Sequence, residues 1–260
     1  MLYLVSTPIG NLEDIALRAL NTLFSVEIVL CEDTRKTLNL LEHYRKPGQS
    51  LPKLISYFEE NELKRIPEVI SELKKGTNIA LVTNSGTPTI SDPGFKLVRE
   101  CWKEGIKVIT IPGPSSPIAA LASSGLPTDK FIFLGFPPNK SGQRIKLFTN
   151  LKESLKSISS TVIFFESPFR IQKSLVDLKD VFGDIEIVIC RELTKVFEET
   201  KKGKISQLID HFSKVKPKGE LVILFNVASH RTISTEKRVF SALKAISSKF
   251  PMGVETKYSI

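Results

Sequence analysis

The stretch ALVTNSGTPTISDPG, residues 80–94, decides the reading of this chain. It opens inside a short apolar run, residues 79–82, of the kind that forms a buried strand. Thr, Asn, Ser, Gly, Thr, Pro and Thr break that run, and a second break follows at Asp92, Pro93 and Gly94. Helical spacing resumes with Phe95, Leu97, Val98, Cys101 and Trp102. Strand, long polar loop and helix is the arrangement that meets small molecules at the carboxyl end of a parallel sheet. The loop is also longer than a plain βα connection, which uses about 2–6 residues. Taken alone, the stretch is equally an ordinary turn with a helix cap.

The same pattern repeats on either side. Residues 2–5 read as a strand, followed by the loop STPIGN at residues 6–11 and a helix over 15–24 with Asp14 as its candidate cap. Residues 26–30 read as a second strand ending in Cys31, Glu32, Asp33, Thr34 and Arg35, with a helix over 37–44. Two adjacent carboxylates and an arginine at a strand end suit proton transfer and anion binding. The competing reading makes Asp33 or Thr34 a helix cap and pairs Arg35 with Glu32. A weak strand over 53–57, a helix over 62–75 and a strand over 108–111 complete the set, the last entering PGPSSP and a small-residue helix over 118–124. Successive β-then-α units predict an α/β domain with a mostly parallel sheet.

GLPTD at residues 125–129 reads as a boundary. The expected organisation is an α/β domain over 1–127, a second over 128–229 and a basic tail over 230–260 with one helix at 239–249. Strands are predicted at 131–134, 161–165, 185–190 and 221–225, with a helix running to Lys179.

Composition narrows the class. An apolar fraction of 41% over 260 residues is that of a globular protein. No apolar run approaches the ~20 residues of a membrane helix, and the start shows no secretory pattern, so a cytoplasmic protein without a membrane partner is expected. Cys31, Cys101 and Cys190 have no metal or disulfide spacing and read as free buried thiols. The net charge of +9 favours a polyanionic partner or an acidic substrate. Residues 195–218 hold seven lysines against three acids, and residues 230–260 hold six basic residues against two acids. Both read as backbone-binding surface.

STPIGNLEDI, CEDTRKT, NSGTPTISDPG, IPGPSS and FESPFR follow one another in this chain, and RELTKVFEE and KGELVILF come after them. In that order they resemble the tetrapyrrole methylase superfamily, most closely the ribosomal RNA small subunit methyltransferase I family, over about residues 1–228. The resemblance implies two α/β domains, S-adenosylmethionine in the cleft between them, a homodimer, and 2′-O-methylation of a cytidine ribose in small-subunit ribosomal RNA, free or in the assembled subunit. By position it puts Pro8, Ser85, Gly86, Thr87, Ile90, Ser115 and Ser116 against the cofactor from the first domain. Phe165, Glu166, Leu193, Glu220 and Leu221 meet it from the second. No metal is implied.

A ribose hydroxyl is a poor nucleophile, so a base or strict positioning must help it. Glu32, Asp33 and Arg35 are the catalytic candidates: a carboxylate for the hydroxyl proton and the arginine for a phosphate. Glu166 is a second carboxylate candidate, and Asn11 and Arg18 are placed at the substrate rim. The chain departs from the family at Thr83-Asn84-Ser85-Gly86, where Ser-Asp-Ala-Gly is usual, and at Phe165 and Phe169, where Tyr and His are usual. Two other functions compete: methylation of a tetrapyrrole, and RNA binding without catalysis. The chain argues against a nicotinamide dinucleotide enzyme, because no G-x-G-x-x-G follows the first strand.

Overall fold

A computed structural model describes residues 1–215 and 217–227. The basic tail and the helix expected over 239–249 lie outside the described residues.

The first domain is built as its apolar runs dictate. β1 (Leu2–Val5), β2 (Ile28–Cys31), β3 (Lys53–Ser56), β4 (Ile79–Leu81) and β5 (Val108–Ile111) form one sheet in the order β3-β2-β4-β1-β5, parallel throughout. β2 and β4 are buried along their whole length, as central strands covered on both faces must be. α1 (Leu17–Leu23) and α2 (Thr34–Tyr44) cover one face through Ala19, Leu23 and Leu41. α3 (Glu62–Lys74) and α4 (Phe95–Lys103) cover the other through Val69, Ile70, Leu73, Leu97 and Cys101. The chain leaves β1 toward β2 over one face and leaves β4 toward β5 over the other. Neighbouring β1 and β4 therefore form the switch point of the sheet, where a crevice opens at the strands' carboxyl ends.

The second domain is a mixed sheet. β6 (Phe131–Phe133), β7 (Thr161–Glu166), β10 (Leu221–Asn226), β8 (Glu186–Arg191) and β9 (Glu199–Lys204) lie in that order, with only β6 and β7 parallel. α6 (Ser141–Leu155), α7 (Ile171–Phe182) and α8 (Ile205–Lys214) cover one face. The other face receives α5 (Ser116–Ser123) of the first domain: Ala120 and Leu121, with Ile9, pack on Ile163, Val188, Cys190, Val222 and Leu224. The boundary expected at 127/128 separates the two sheets, but α5, which precedes it in the chain, packs on the second sheet.

Four local readings differ from the structure. Asp14 caps nothing: residues 12–14 form a short 3-10 turn capped by the Asn11 side chain, and α1 starts only at Leu17. α2 starts at Thr34 because Asp33 accepts from the Arg35 backbone N–H. α6 was not expected at all; its stripe of Arg144, Phe148, Leu151 and Leu155 begins with a charge. β9 and α8 were read only as a lysine-rich surface. β9 is an edge strand whose lysines guard an unpaired ladder, and Lys201 and Lys202 pair with Glu199 at 2.9 Å and Glu186 at 3.0 Å. Cys31, Cys101 and Cys190 are free and buried, and burial pushes each thiol up, Cys101 to about 11. Among the described residues no helix is long and apolar enough to cross a membrane.

Candidate active site

Three loops leave β1, β4 and β5, which are neighbours, and they are tied together. Thr7 and Gly86 exchange both backbone hydrogen bonds, at 2.9 and 3.1 Å. The Thr7 hydroxyl donates to the Thr83 carbonyl at 3.1 Å. Thr87 Oγ1 donates to the Pro114 carbonyl at 2.9 Å, so Ser6 Oγ, 3.0 Å away, donates to Thr87. Gly113 passes so close to Ser6 that a Cβ there would lie 2.9 Å from the Ser6 Cβ. Small residues let the three backbones approach.

The second domain closes the site. Asn11 N–H donates to Thr194 Oγ1 at 3.0 Å, and a Cβ on Gly10 would sit 2.7 Å from that oxygen and 2.9 Å from the Leu193 carbonyl. Thr89, Ser91, Glu192 and Thr194 are the non-glycine residues at positive φ among the described residues, at 75°, 65°, 51° and 66°. Thr89 and Ser91 belong to the loop after β4, and Glu192 and Thr194 to the loop after β8. Strained backbone of this kind persists where surrounding structure over-determines it.

Between the domains lies a cavity of about 740 Å³. Pro8 lines it from the first loop, Ser85, Gly86, Thr87 and Ile90 from the second, and Ser115 and Ser116 from the third. Phe165, Glu166, Leu193, Glu220 and Leu221 line it from the second domain. These are the positions that the family resemblance sets against one ligand. Glu32 also lines the cavity, and its carboxylate is well occupied. It accepts from Thr83 Oγ1, from the Asn84 N–H at 3.0 Å and from Asn84 Nδ2 at 3.3 Å. The departure at Asn84 thus gives Glu32 a donor, where the family's usual carboxylate would repel it.

The other catalytic candidates sit elsewhere. Asp33 caps α2 and holds Arg35 at 2.9 Å; that partner keeps its carboxyl down at about 2. Arg35 is 87% exposed and pairs with Asp33, not with Glu32. Neither reaches the cavity wall. Glu166 is buried and committed, accepting from Arg170 at 2.6 Å, from Ser174 Oγ and from the Ser167 N–H at 2.7 Å. Arg18 is exposed on α1, and Asn11 spends its side chain on the 3-10 turn.

Two features were missed. The exposed face of α2 continues the cavity outward through Lys36, Asn39 and His43. Their i, i+3, i+7 spacing was the available signal. Asp92 also lines the cavity, and burial, then the Glu32 charge, pushes its carboxyl up to about 7. Its Asp-Pro-Gly setting reads as turn chemistry, which hid it.

The profile of the tetrapyrrole (corrin/porphyrin) methylases matches residues 1–209. A ribosomal RNA small subunit methyltransferase I from Thermotoga maritima is 47% identical over 227 residues, 86% of this chain and 97% of that one. The chain belongs to this family of methyltransferases. The methyltransferase is also 42% identical over 253 residues to a protein of the same name from Rickettsia prowazekii, covering 95% and 87% of the two chains. Its fold matches that of a cobalt precorrin-4 methyltransferase with a TM-score of 0.63 at 18% identity, over 86% of this chain and 93% of that one. The methyltransferase CobJ matches at 0.64 and 15%, over 87% and 94%. At such identities these two structures speak to fold alone.

Proposed function

We propose that this methyltransferase moves a methyl group from S-adenosylmethionine to the 2′-hydroxyl of a cytidine ribose in small-subunit ribosomal RNA. The observation that carries this reading is the cleft itself. It has the size of a small-molecule site, ~300–1,000 Å³, and it stays open along the α2 face toward a larger partner. The relatives' name supports small-subunit ribosomal RNA as the substrate; the cytidine and its 2′-hydroxyl rest on the family resemblance.

The lining fits the cofactor. Ile9, Ile90, Leu193 and Phe165 offer apolar wall for a purine. Ser85, Ser115 and Ser116 offer hydroxyls for the amino-acid end. Carboxylates at Glu32, Asp92 and Glu220 suit a cation. S-adenosylmethionine supplies an electrophilic methyl group on a sulfonium. The chain's own work is then to orient and to exclude water. Thr7 and Gly86 lock the first two loops, Thr194 locks the second domain onto them, and Lys36 meets a phosphate at the mouth.

Charge separates RNA from a tetrapyrrole. The lining holds five acids, Glu32, Asp92, Glu166, Glu192 and Glu220, against two lysines, Lys36 and Lys195, with Lys195 already paired to Glu192 at 2.8 Å. A polycarboxylate entering this cleft meets like charge. RNA brings one neutral ribose hydroxyl inside and leaves its phosphates at the rim. The proposed setting is cytoplasmic, with the ribosomal subunit as partner. A homodimer is read from the resemblance, and sedimentation equilibrium tests it.

The test is transfer of labelled methyl from S-adenosylmethionine to small subunits taken from cells lacking this gene. Label in the RNA, with one linkage made resistant to alkali, is the expected result. Saturable cofactor binding without label on RNA overturns the substrate, and no cofactor binding overturns the enzyme reading.

A further inference from the structure

The reading of a ribose hydroxyl as acceptor leaves its proton without a destination, because Asp33 and Glu166 are engaged elsewhere. On that reading, we infer that Asp92 is the catalytic base, taking the acceptor's proton at the junction of Glu32, Thr83 and the cavity.

Four observations carry this. Asp92 lines the cavity, unlike Asp33. The loop that presents it is held at both ends, by the Thr7 hydroxyl on the Thr83 carbonyl at 3.1 Å and by Glu62 on the Gly94 N–H at 3.0 Å. Between these ties the backbone turns through positive φ at Thr89 and at Ser91, the residue before Asp92. A β-branched threonine in that conformation marks a geometry held by its surroundings. Finally, Thr83 stands between two carboxylates. Its hydroxyl lies within reach of Asp92 and donates to Glu32 Oε1. One hydroxyl carries one proton, so it serves one carboxylate at a time. The Thr83 hydrogen bond favours the ionised Asp92, the form that takes a proton, and so opposes burial and the Glu32 charge.

The charges around Asp92 agree. Glu32 at the end of β2 and Glu220 ahead of β10 both push its carboxyl up, and burial adds more than either. Of the two lysines in the lining, Lys195 is tied to Glu192 at 2.8 Å and Lys36 sits on the exposed face of α2. A base that titrates near neutrality is matched to taking a proton at physiological pH.

The balance is complete. The hydroxyl oxygen forms a bond to the methyl carbon, the carbon–sulfur bond breaks with its pair left on sulfur, and the O–H proton moves to the Asp92 carboxylate, then to solvent. The oxygen becomes strongly acidic as the new bond forms, so a base of modest strength suffices. Glu32 is a positioning residue: it holds Thr83 and Asn84 and keeps the proton affinity of Asp92 high.

Two measurements test this. The first is a carbon NMR pH titration of the aspartate carboxyls in the free protein, with Asp92 assigned by the signal missing from Asp92→Asn. A midpoint near 7 is expected, and a midpoint in the ordinary carboxylate range overturns the assignment. The second compares Asp92→Asn with wild type for cofactor affinity by calorimetry and for methyl transfer to small subunits. Affinity within a few-fold is expected, with transfer lowered by about 100-fold or more, a pH profile that no longer rises through neutrality, and partial rescue by Asp92→Glu. Wild-type transfer by the variant, or a loss of cofactor affinity that accounts for the whole loss of transfer, overturns the role. A wild-type protein that labels no RNA overturns the ribose reading itself, and with it the acceptor assigned to Asp92; transfer by wild type and variant alike overturns Asp92 alone.

Discussion

Glu62 accepts the backbone N–H of Gly94 at 3.0 Å from inside the core of the first domain. It also accepts from Tyr57 at 3.1 Å and pairs with Lys96 at 2.9 Å. Burial pushes the Glu62 carboxyl up, but the Lys96, Gly94 and Tyr57 donors together outweigh it and hold the group below its usual value. Glu62→Ala leaves three donors unmatched and costs ~3 kcal/mol of stability, read by denaturant unfolding. Because the folded value is depressed, this contribution is present above the usual carboxylate range and is lost as pH falls through the depressed value. The gap between wild type and Glu62→Ala therefore narrows in acid.

Asp92 has the opposite sign. Its folded value, about 7, lies above that of the unfolded chain. Its contribution is complete below ~4, the unfolded carboxylate value, and is lost as pH rises through about 7. The melting temperature of wild type should fall relative to Asp92→Asn between pH 5 and pH 8 in a fluorimetric series. A difference that does not move with pH contradicts the assignment of this group.

Asn84→Asp restores the residue usual in the family and adds a further carboxylate beside Glu32 and Asp92, where Asn84 Nδ2 now donates to Glu32 at 3.3 Å. Like charges sharing a site push the proton affinity of the group up. The rise of kcat/KM with pH should move to higher pH than in wild type. A profile that stays in place shows that Glu32 and residue 84 do not communicate with the base.

Gly10→Ala tests the contact between domains. The added Cβ meets Thr194 Oγ1 and the Leu193 carbonyl at 2.7 and 2.9 Å and also runs into Lys195. The second domain must back away from the first loop. Cofactor affinity should drop about tenfold, which corresponds to ~1.4 kcal/mol, with less effect on unfolding than Glu62→Ala has. Calorimetry separates the two.

Arg144 and Asp177 form a buried pair at 2.5 Å, and Arg144 also donates to the carbonyls of Pro138 and Asn139 at 3.0 and 3.2 Å. Arg144→Ala strands a buried carboxylate and should cost ~3–5 kcal/mol. The double change Arg144→Met with Asp177→Leu should recover a large part of that in denaturant unfolding, since isosteric apolar replacement of a buried pair is often near neutral.

What was legible in the chain follows from where its apolar residues stand. β1 and β5 were read to the residue because short apolar runs between polar loops admit few alternatives. The loops after β1, β4 and β5 were legible as loops from their Pro, Gly, Ser and Thr; only the family resemblance set them against a cofactor, and they line one cavity. α6 was hidden because its buried stripe starts with Arg144, whose charge is matched only by Asp177 far along the chain. α8 carried a readable stripe at Ile205, Leu208 and Phe212, masked by the lysines around it. Asp92 could not be found from sequence, because its character comes from burial and from Glu32, a neighbour only in space.

The position of α5 has a consequence for synthesis. Ala120 and Leu121 emerge from the ribosome before any strand of the sheet that they cover, and the last of those strands, β10, closes at Asn226. The amino-terminal half therefore waits with an apolar helix uncovered until nearly the whole described chain has been made. Domains that finish in order ordinarily bury their own surfaces as they appear. Here the two halves share one closing step, and a chain cut after residue 127 leaves each half with an oily face that only the other can hide.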